Sequence, residues 1–375
     1  MPAMETRERA LGDRLAQFGV NRRTFLKYCA TLTAVLALPA RFTERVARAL
    51  ESVEKPSIIW LEFQDCAGDT ESFLRSRNPG VGDLILDLLS VDYHETIMAA
   101  AGFQAEAAKE ATIAKGGYIV VVEGSVPMGD GGVYCTIGGK TAIQILEEAA
   151  VGAAAIINVG TCSAYGGLPK AAPNPTRAVG VASVVSGVPI INLPGCPANA
   201  DNITATLVHY LTFGSLPATD SKGRPLFAYG TRIHDACERR AHFDAGQFVL
   251  EWGDAGHKRG WCLYKMGCKG PSTFHNCPII RWNEATSWPV GSGHGCVGCS
   301  EPDFWDTMTD FYVRLPKVTG FGAEATADKI GLGIAAATAV GFGAHGIAKA
   351  IQRRAGLGSE GPAPGSMEDD TDGSE

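Results

Sequence analysis

The sequence predicts an α/β fold: a doubly wound parallel sheet in the first half, a smaller cysteine-rich domain behind it, and an apolar helix near the carboxyl end. Three observations predict this. Short apolar runs at 58–62, 118–122, 155–159 and 190–193 alternate with longer helical patterns, as strands buried on both faces do between crossover helices. Seven potential Cys and His ligands crowd into 234–299, and an uncharged run rich in Gly, Ala, Val, Ile and Leu fills 330–347.

The composition narrows the function. At 375 residues and 45% hydrophobic content the chain holds one large or two ordinary cores. A net charge of -7 offers no broad basic surface, which argues against a nucleic-acid partner. The eleven cysteines are the unusual feature.

The amino end carries Asn21-Arg22-Arg23-Thr24-Phe25-Leu26-Lys27, an uncharged stretch to Ala40, and then Ala47-Arg48-Ala49. That order reads as a twin-arginine export signal with an Ala-x-Ala cleavage site, so 1–49, Cys29 included, are set apart from the fold. At about 1.5 Å per residue the carboxyl-terminal run just crosses a hydrocarbon core. Lys349, Arg353 and Arg354 follow it, placing that end in the cytoplasm and the globular part on the periplasmic or outer face of the cell membrane. The expected division is a signal at 1–49, a sheet domain at 50–225, a cysteine-rich domain at 226–315, a linker at 316–329, a single membrane helix at 330–350 and a disordered cytoplasmic tail at 351–375.

Open α/β sheets build their sites beyond the carboxyl ends of strands. Cys66 follows the first apolar run, Glu123-Gly124 the second, Cys162 the third and Cys196 the fourth. In a parallel sheet the three thiols converge on one edge. Helices are expected over 84–89, 141–153 and 201–213. An iron-sulfur cube usually takes four thiolates, and Asp69 stands three residues after Cys66, where a Cys-x-x-Cys pair would put its second ligand. A carboxylate is a harder donor that can still bind iron; the alternative is an aspartate beside a three-cysteine cluster. Cys135 is a further candidate without a ligand-loop signal.

In the second half, His234, Cys237, Cys262, Cys268, Cys277, Cys296 and Cys299 make four donors plus three. Zinc is the rival reading, as an exported zinc-stabilised binding protein without a redox role, since four-donor Cys/His sites are ordinary for zinc. The leftover three thiolates favour iron, because a three-iron cluster needs no fourth cysteine. His242, His275 and His294 lack a comparable pairing and read as structural. There is no Gly-rich phosphate loop, dinucleotide fingerprint or Ser-His-Asp arrangement.

Glu123-Gly124-x-x-Pro127, Gly160-Thr161-Cys162, Pro173-Asn174-Pro175-Thr176, Pro194-Gly195-Cys196-Pro197, His242-Phe243-Asp244-Ala245-Gly246, Cys268-Lys269-Gly270-Pro271, Cys296-x-x-Cys299 and Phe304-Trp305-Asp306 occur in this order. With them the chain closely resembles the small subunit of membrane-bound uptake nickel-iron hydrogenases, from the export signal through the membrane helix. The resemblance implies a flavodoxin-like first domain and an electron-transfer role. It implies a proximal 4Fe-4S cluster on Cys66, Asp69, Cys162 and Cys196, with Asp69 where the family usually has cysteine. It implies a distal 4Fe-4S cluster on His234, Cys237, Cys262 and Cys268 and a medial 3Fe-4S cluster on Cys277, Cys296 and Cys299, with Pro289 where a fourth cysteine might have stood. The implied partners are a large subunit that carries the nickel-iron center and splits hydrogen, and a membrane cytochrome b or similar acceptor leading to quinone. A dimer of heterodimers is a further expectation. Oxygen-tolerant relatives carry two extra proximal cysteines, at positions that here are Gly68 and Gly167. A quinone-linked relative sharing only the first domain would lack the 234–299 donors.

Overall fold

The computed structural model describes residues 22–50, 55–76, 80, 89–315 and 327–355. All but Leu89 of the helix expected over 84–89, most of the linker, the tail after 355 and the first 21 residues lie outside the described residues. The chain divides into two compact units, 1–318 and 319–375.

In chain order the larger unit contains α1 (Arg22–Val35), α2 (Thr43–Leu50), α3 (Gly68–Leu74), α4 (Phe103–Lys115), α5 (Ala142–Ala150), α6 (Gly160–Tyr165) and α7 (Ala200–Phe213). Its main sheet is built from β1 (Ser57–Glu62), β2 (Ser90–His94), β3 (Ile119–Glu123), β4 (Ala155–Val159) and β5 (Ile190–Leu193). The strands are all parallel, in the spatial order 2-1-3-4-5. That is the flavodoxin-like winding, with its topological switch between β1 and β3.

Successive side chains of a strand face opposite ways. Ile59, Leu61, Val120, Val122 and Ile156 enter the core on one side of the sheet, while Ile58, Trp60, Ile119, Val121 and Ile157 enter the other. Covering both faces with helices explains the unbroken apolar runs by which four strands were legible. The fifth, β2, carries Asp92 and has three half-exposed residues at a sheet edge, so its sequence lacks the run. Likewise α4 has an Ala-, Glu- and Lys-rich sequence with only three buried residues and no clear apolar stripe.

Local signals place the other helices. Thr141 and Gln144 form a reciprocal capping box at the start of α5, and Val151 turns extended to end it three residues before the expected 153. Asn199 caps α7 and Gly214, left-handed, terminates it. Residues 22–50, set apart above as an export signal, are folded here: α1 and α2 pack on α7, with Cys29 fully buried. An apolar 14-residue helix gains more from a tertiary partner than from its own hydrogen bonds.

Beyond Arg224 regular structure gives way to one-turn helices and loops around a separate small core of Ile233, Val249, Leu263, Trp288 and Val290, which Cys277 and Cys296 join. This part is fastened to the sheet by buried polar contacts. Arg224 donates to Glu301 Oε1 at 2.8 Å and to the carbonyl of Ser300. Glu301 also accepts from the backbone N–H of Phe274 and from Lys222. Asn202 and Asn276 exchange amide hydrogen bonds at 3.0 and 2.9 Å.

In the smaller unit, α8 (Ala327–Arg354) has 23 residues, 332–354, long and apolar enough to cross a membrane by length and composition.

The Arg224–Glu301 pair is almost wholly buried, so removing one partner leaves an uncompensated charge. Arg224→Ala should destabilise the folded chain by about 3–5 kcal/mol. The denaturant midpoint of the purified protein would read this, and an unchanged midpoint would contradict it.

Candidate metal centres

The segments after β1, β4 and β5 each deliver one thiol to the same sheet edge. Cys66 leaves β1 and precedes α3; Cys162 lies in the first turn of α6, directly after β4; Cys196 follows β5. Asp69, in the first turn of α3, is buried, and its Oδ1 accepts from the N–H of Ala198 at 2.5 Å. Its carboxylate lies so close to Gly160 that a Cβ there would sit 2.1 Å from Oδ2, so the glycine, at φ +83°, is what admits it.

Glu123 organises this edge from the end of β3. Oε1 accepts from the N–H of Asp69 at 2.9 Å, and Oε2 accepts from the N–H of Thr70 at 2.9 Å, from its hydroxyl at 2.6 Å and from Trp60 Nε1 at 3.3 Å. A carboxylate thus caps the first turn of α3 and fixes the loop carrying Cys66 and Asp69. A lone acid closing a fully buried apolar strand was the sequence signal for this role, which the reading from sequence left unassigned.

Burial pushes the thiols of Cys162 and Cys196 up to about 12, and Asp69 and Cys66 add to both shifts. Asp69 itself is held well above the usual carboxyl range by burial and then by Glu123, whose own pKa burial raises to about 7. Asp69, Cys162 and Cys196 can therefore shed their protons together only beside a strong positive charge.

Four of the second-half donors, His234, Cys237, Cys262 and Cys268, line a single pocket with Arg239, Tyr264 and Pro271. Burial and then the Arg240 charge lower the imidazole of His234 to about 4, leaving it neutral and fit to donate a lone pair. Burial raises Cys237 to about 11 and Cys262 to about 12. Cys277 and Cys296 are buried and Cys299 is half-buried; burial lifts all three thiols, and each of Cys277 and Cys296 also feels Cys299. Backbone N–H groups already point at the sulfurs: Arg239 to Cys237 at 3.4 Å, Cys296 to Cys268 at 3.3 Å and Gly298 to Cys296 at 3.4 Å.

The groups are arranged in series. Cys299 raises the pKa of Cys196 on one side and of Cys296 on the other, and Cys296 is in turn raised by Cys268. Thr161 pins the first junction: its hydroxyl donates to the carbonyl of Cys299 and accepts from the N–H of Gly195 at 3.0 Å. Among the described residues no three Cys, His, Asp or Glu side chains converge tightly enough for a single metal ion. A tetrahedral zinc with bonds of about 2.3 Å to sulfur would require that, whereas polynuclear clusters spread their ligands.

Cys135 and Cys29 lie apart from these groups. Cys135 packs against the sheet core, and Cys29 is enclosed by α1, α2 and α7. His275 accepts from the N–H of Cys277, with its ring nitrogen 3.0 Å from the Cys277 sulfur, and His242 and His294 bond to Gln247 and to the carbonyl of Gly295.

Residues 66–210 match the family described as NADH ubiquinone oxidoreductase, 20 Kd subunit, and residues 229–312 match the family described as the C-terminal part of the NiFe/NiFeSe hydrogenase small subunit. The quinone-reactive Ni/Fe-hydrogenase small chain of Wolinella succinogenes is 50% identical over 343 residues, covering 89% of this chain and 97% of that one. The chain belongs to the nickel-iron hydrogenase small-subunit family. The uptake hydrogenase small subunit of Azotobacter vinelandii is similar at 46% identity, over 91% of this chain and 96% of the relative. Among solved structures, a reduced, active Ni-Fe-Se hydrogenase from Desulfomicrobium baculatum superposes with a TM-score of 0.66 at 34% identity, covering 70% of this chain and all of that one.

As a hydrogenase small subunit the chain serves electron transfer within a nickel-iron hydrogenase, and membership implies a large-subunit partner and iron-sulfur clusters. The zinc-binding reading falls with it. So does the quinone-linked relative sharing only the first domain, since the hydrogenase match lies in the second half.

The raised thiols set a pH dependence. In the cluster-free fold they stay protonated above the ordinary thiol pKa of about 8.5, whereas the unfolded chain loses those protons. Their contribution to stability is therefore complete below about pH 8.5 and is lost as pH climbs toward the folded values of about 11 to 12. Cluster-free protein should unfold at progressively lower denaturant between pH 8 and 10, and loaded protein should not, because its sulfurs are already deprotonated. Parallel denaturation curves across that range would disprove it.

Proposed function

We propose that this hydrogenase small subunit holds three clusters and serves hydrogen oxidation by its large-subunit partner, delivering electrons to a membrane cytochrome b or equivalent quinone-linked acceptor. The observation that carries the reading is the serial placement of the three donor groups, with Cys299 beside both Cys196 and Cys296, and Cys268 beside Cys296.

In this reading Cys66, Asp69, Cys162 and Cys196 hold a proximal 4Fe-4S cluster, Cys277, Cys296 and Cys299 a medial 3Fe-4S cluster, and His234, Cys237, Cys262 and Cys268 a distal 4Fe-4S cluster. When bound, such clusters supply one-electron redox levels. The chain orients the donors through Glu123, Thr161 and the N–H groups named above, and keeps the inner thiols dry. Cys66 and Cys196 are exposed at the sheet edge, which suits coverage by the large subunit.

Residues 1–49 act as a twin-arginine signal, and α8 is a single-pass membrane anchor with the globular unit on the outer face. The apolar span of 332–354, closed by Arg353 and Arg354, supports the anchor. The sheet domain, the cysteine-rich domain and the tail are the remaining parts, and a dimer of heterodimers is the assembly to look for.

The complex purified anaerobically from native membranes should contain iron and acid-labile sulfide and reduce a dye with hydrogen; a complex free of both iron and sulfide ends this reading. Asp69 can be tested directly. Asp69→Cys and Asp69→Ala should each alter the proximal-cluster spectrum, in different ways, since one supplies a softer ligand and the other none. Unchanged signals in both variants would remove Asp69 from the ligand set.

A further inference from the structure

Helices α1 and α2 do not trail from the folded chain. Phe25, Cys29 and Leu32 of α1 join Val46 and Ala47 of α2 and Val208 of α7 in one buried cluster, with Tyr28 and Leu211 packed at its rim. Phe42, between the two helices, lies 5.9 Å from the Phe213 ring, and the Arg45 guanidinium sits 4.5 Å over that ring. Thr33 turns its hydroxyl inward to the Cys29 carbonyl at 2.7 Å, which satisfies that buried hydroxyl. Arg23 stays exposed.

We propose that the outer face of α7 is a docking seat for the chain's own export signal, holding the apolar segment and the cleavage site closed in the folded precursor while the arginine end stays open. This rests on the twin-arginine reading above. Ala47, the first alanine of Ala47-Arg48-Ala49, is 5% exposed and lies within α2. A peptidase reads its substrate in an extended conformation, so hydrolysis after Ala49, in which water adds across the peptide bond to give a carboxylate there and an amine on Leu50, requires α2 to leave α7 and unwind. Recognition of the arginines and release of the apolar segment are then separate events, and only release uncovers Val208, Leu211 and Phe213 on α7.

Cys29 reports the docking. Full-length precursor, folded and cluster-loaded, is taken anaerobically from cells lacking the translocase and treated with N-ethylmaleimide, and peptide mass spectrometry reads labelling at Cys29. Docking predicts labelling at least about tenfold slower than in denatured precursor. Leu211→Asp and Phe213→Ala, at the half-buried rim of the seat, should both speed it and hasten cleavage by purified leader peptidase. Equal labelling of folded and denatured wild type overturns the proposal, whatever the variants do. If Cys29 is protected but the chain is not exported through the twin-arginine route, the docking stands and the export reading fails; export with Cys29 freely labelled gives the converse.

Discussion

Acidic groups buried side by side are the constraint on which this molecule turns. Cys162, Cys196, Asp69 and Glu123 each hold a proton more tightly than they would in water, because burial penalises their charge and their neighbours add to the penalty. The same holds for Cys237, Cys262, Cys277 and Cys296 further along. In the proposed ligand assignment a cationic cluster would relieve the penalty by replacing protons with iron, so that the energetic misfit of the bare chain and the stability of the loaded one are two sides of one interaction.

The parallel sheet makes this crowding possible. Its strands end on one edge, and residues 54 to 129 positions from Asp69 reach it there: the Glu123 carboxylate accepts from the Asp69 N–H, and the Ala198 N–H donates to the Asp69 carboxylate. Each acceptor on that edge is fixed by a short local device: Glu123 at the first turn of α3, the absent Cβ of Gly160 against Asp69, and the Thr161 hydroxyl between Gly195 and Cys299. At Gly167, φ +53°, an added Cβ would stand 2.5 Å from Cys162 Sγ, and at Gly68 one would stand 3.1 Å from Cys66 Sγ. The two positions expected to bear extra cysteines in oxygen-tolerant relatives therefore border these thiols, and a side chain at Gly167 would require Cys162 to shift.

The second half has little regular structure of its own and depends on what it holds and what it leans on. Cys277 and Cys296 belong to its small apolar core, so the donors are also packing residues. Arg224 and Glu301 and the paired Asn202 and Asn276 tie it to the sheet, and the tie keeps Cys299 against Cys196. Position along the series and fold stability thus share the same contacts.

The sequence by itself determined the family resemblance and most of the sheet. Four strands were legible because both faces of a parallel sheet are buried and each strand is apolar throughout; the convergence of Cys66, Cys162 and Cys196 was legible because each stands just past such a run. Edge strand β2 and helix α4 escaped because a half-exposed element need not carry an apolar pattern. Only the tertiary structure decided that Glu123 organises the edge, that Thr161 and Arg224 join the halves, and that residues 22–50 rest on α7. Each of those is a contact between residues far apart in the chain, set by how sheet, loops and helices stack, and no periodicity or spacing along one strand of sequence encodes it.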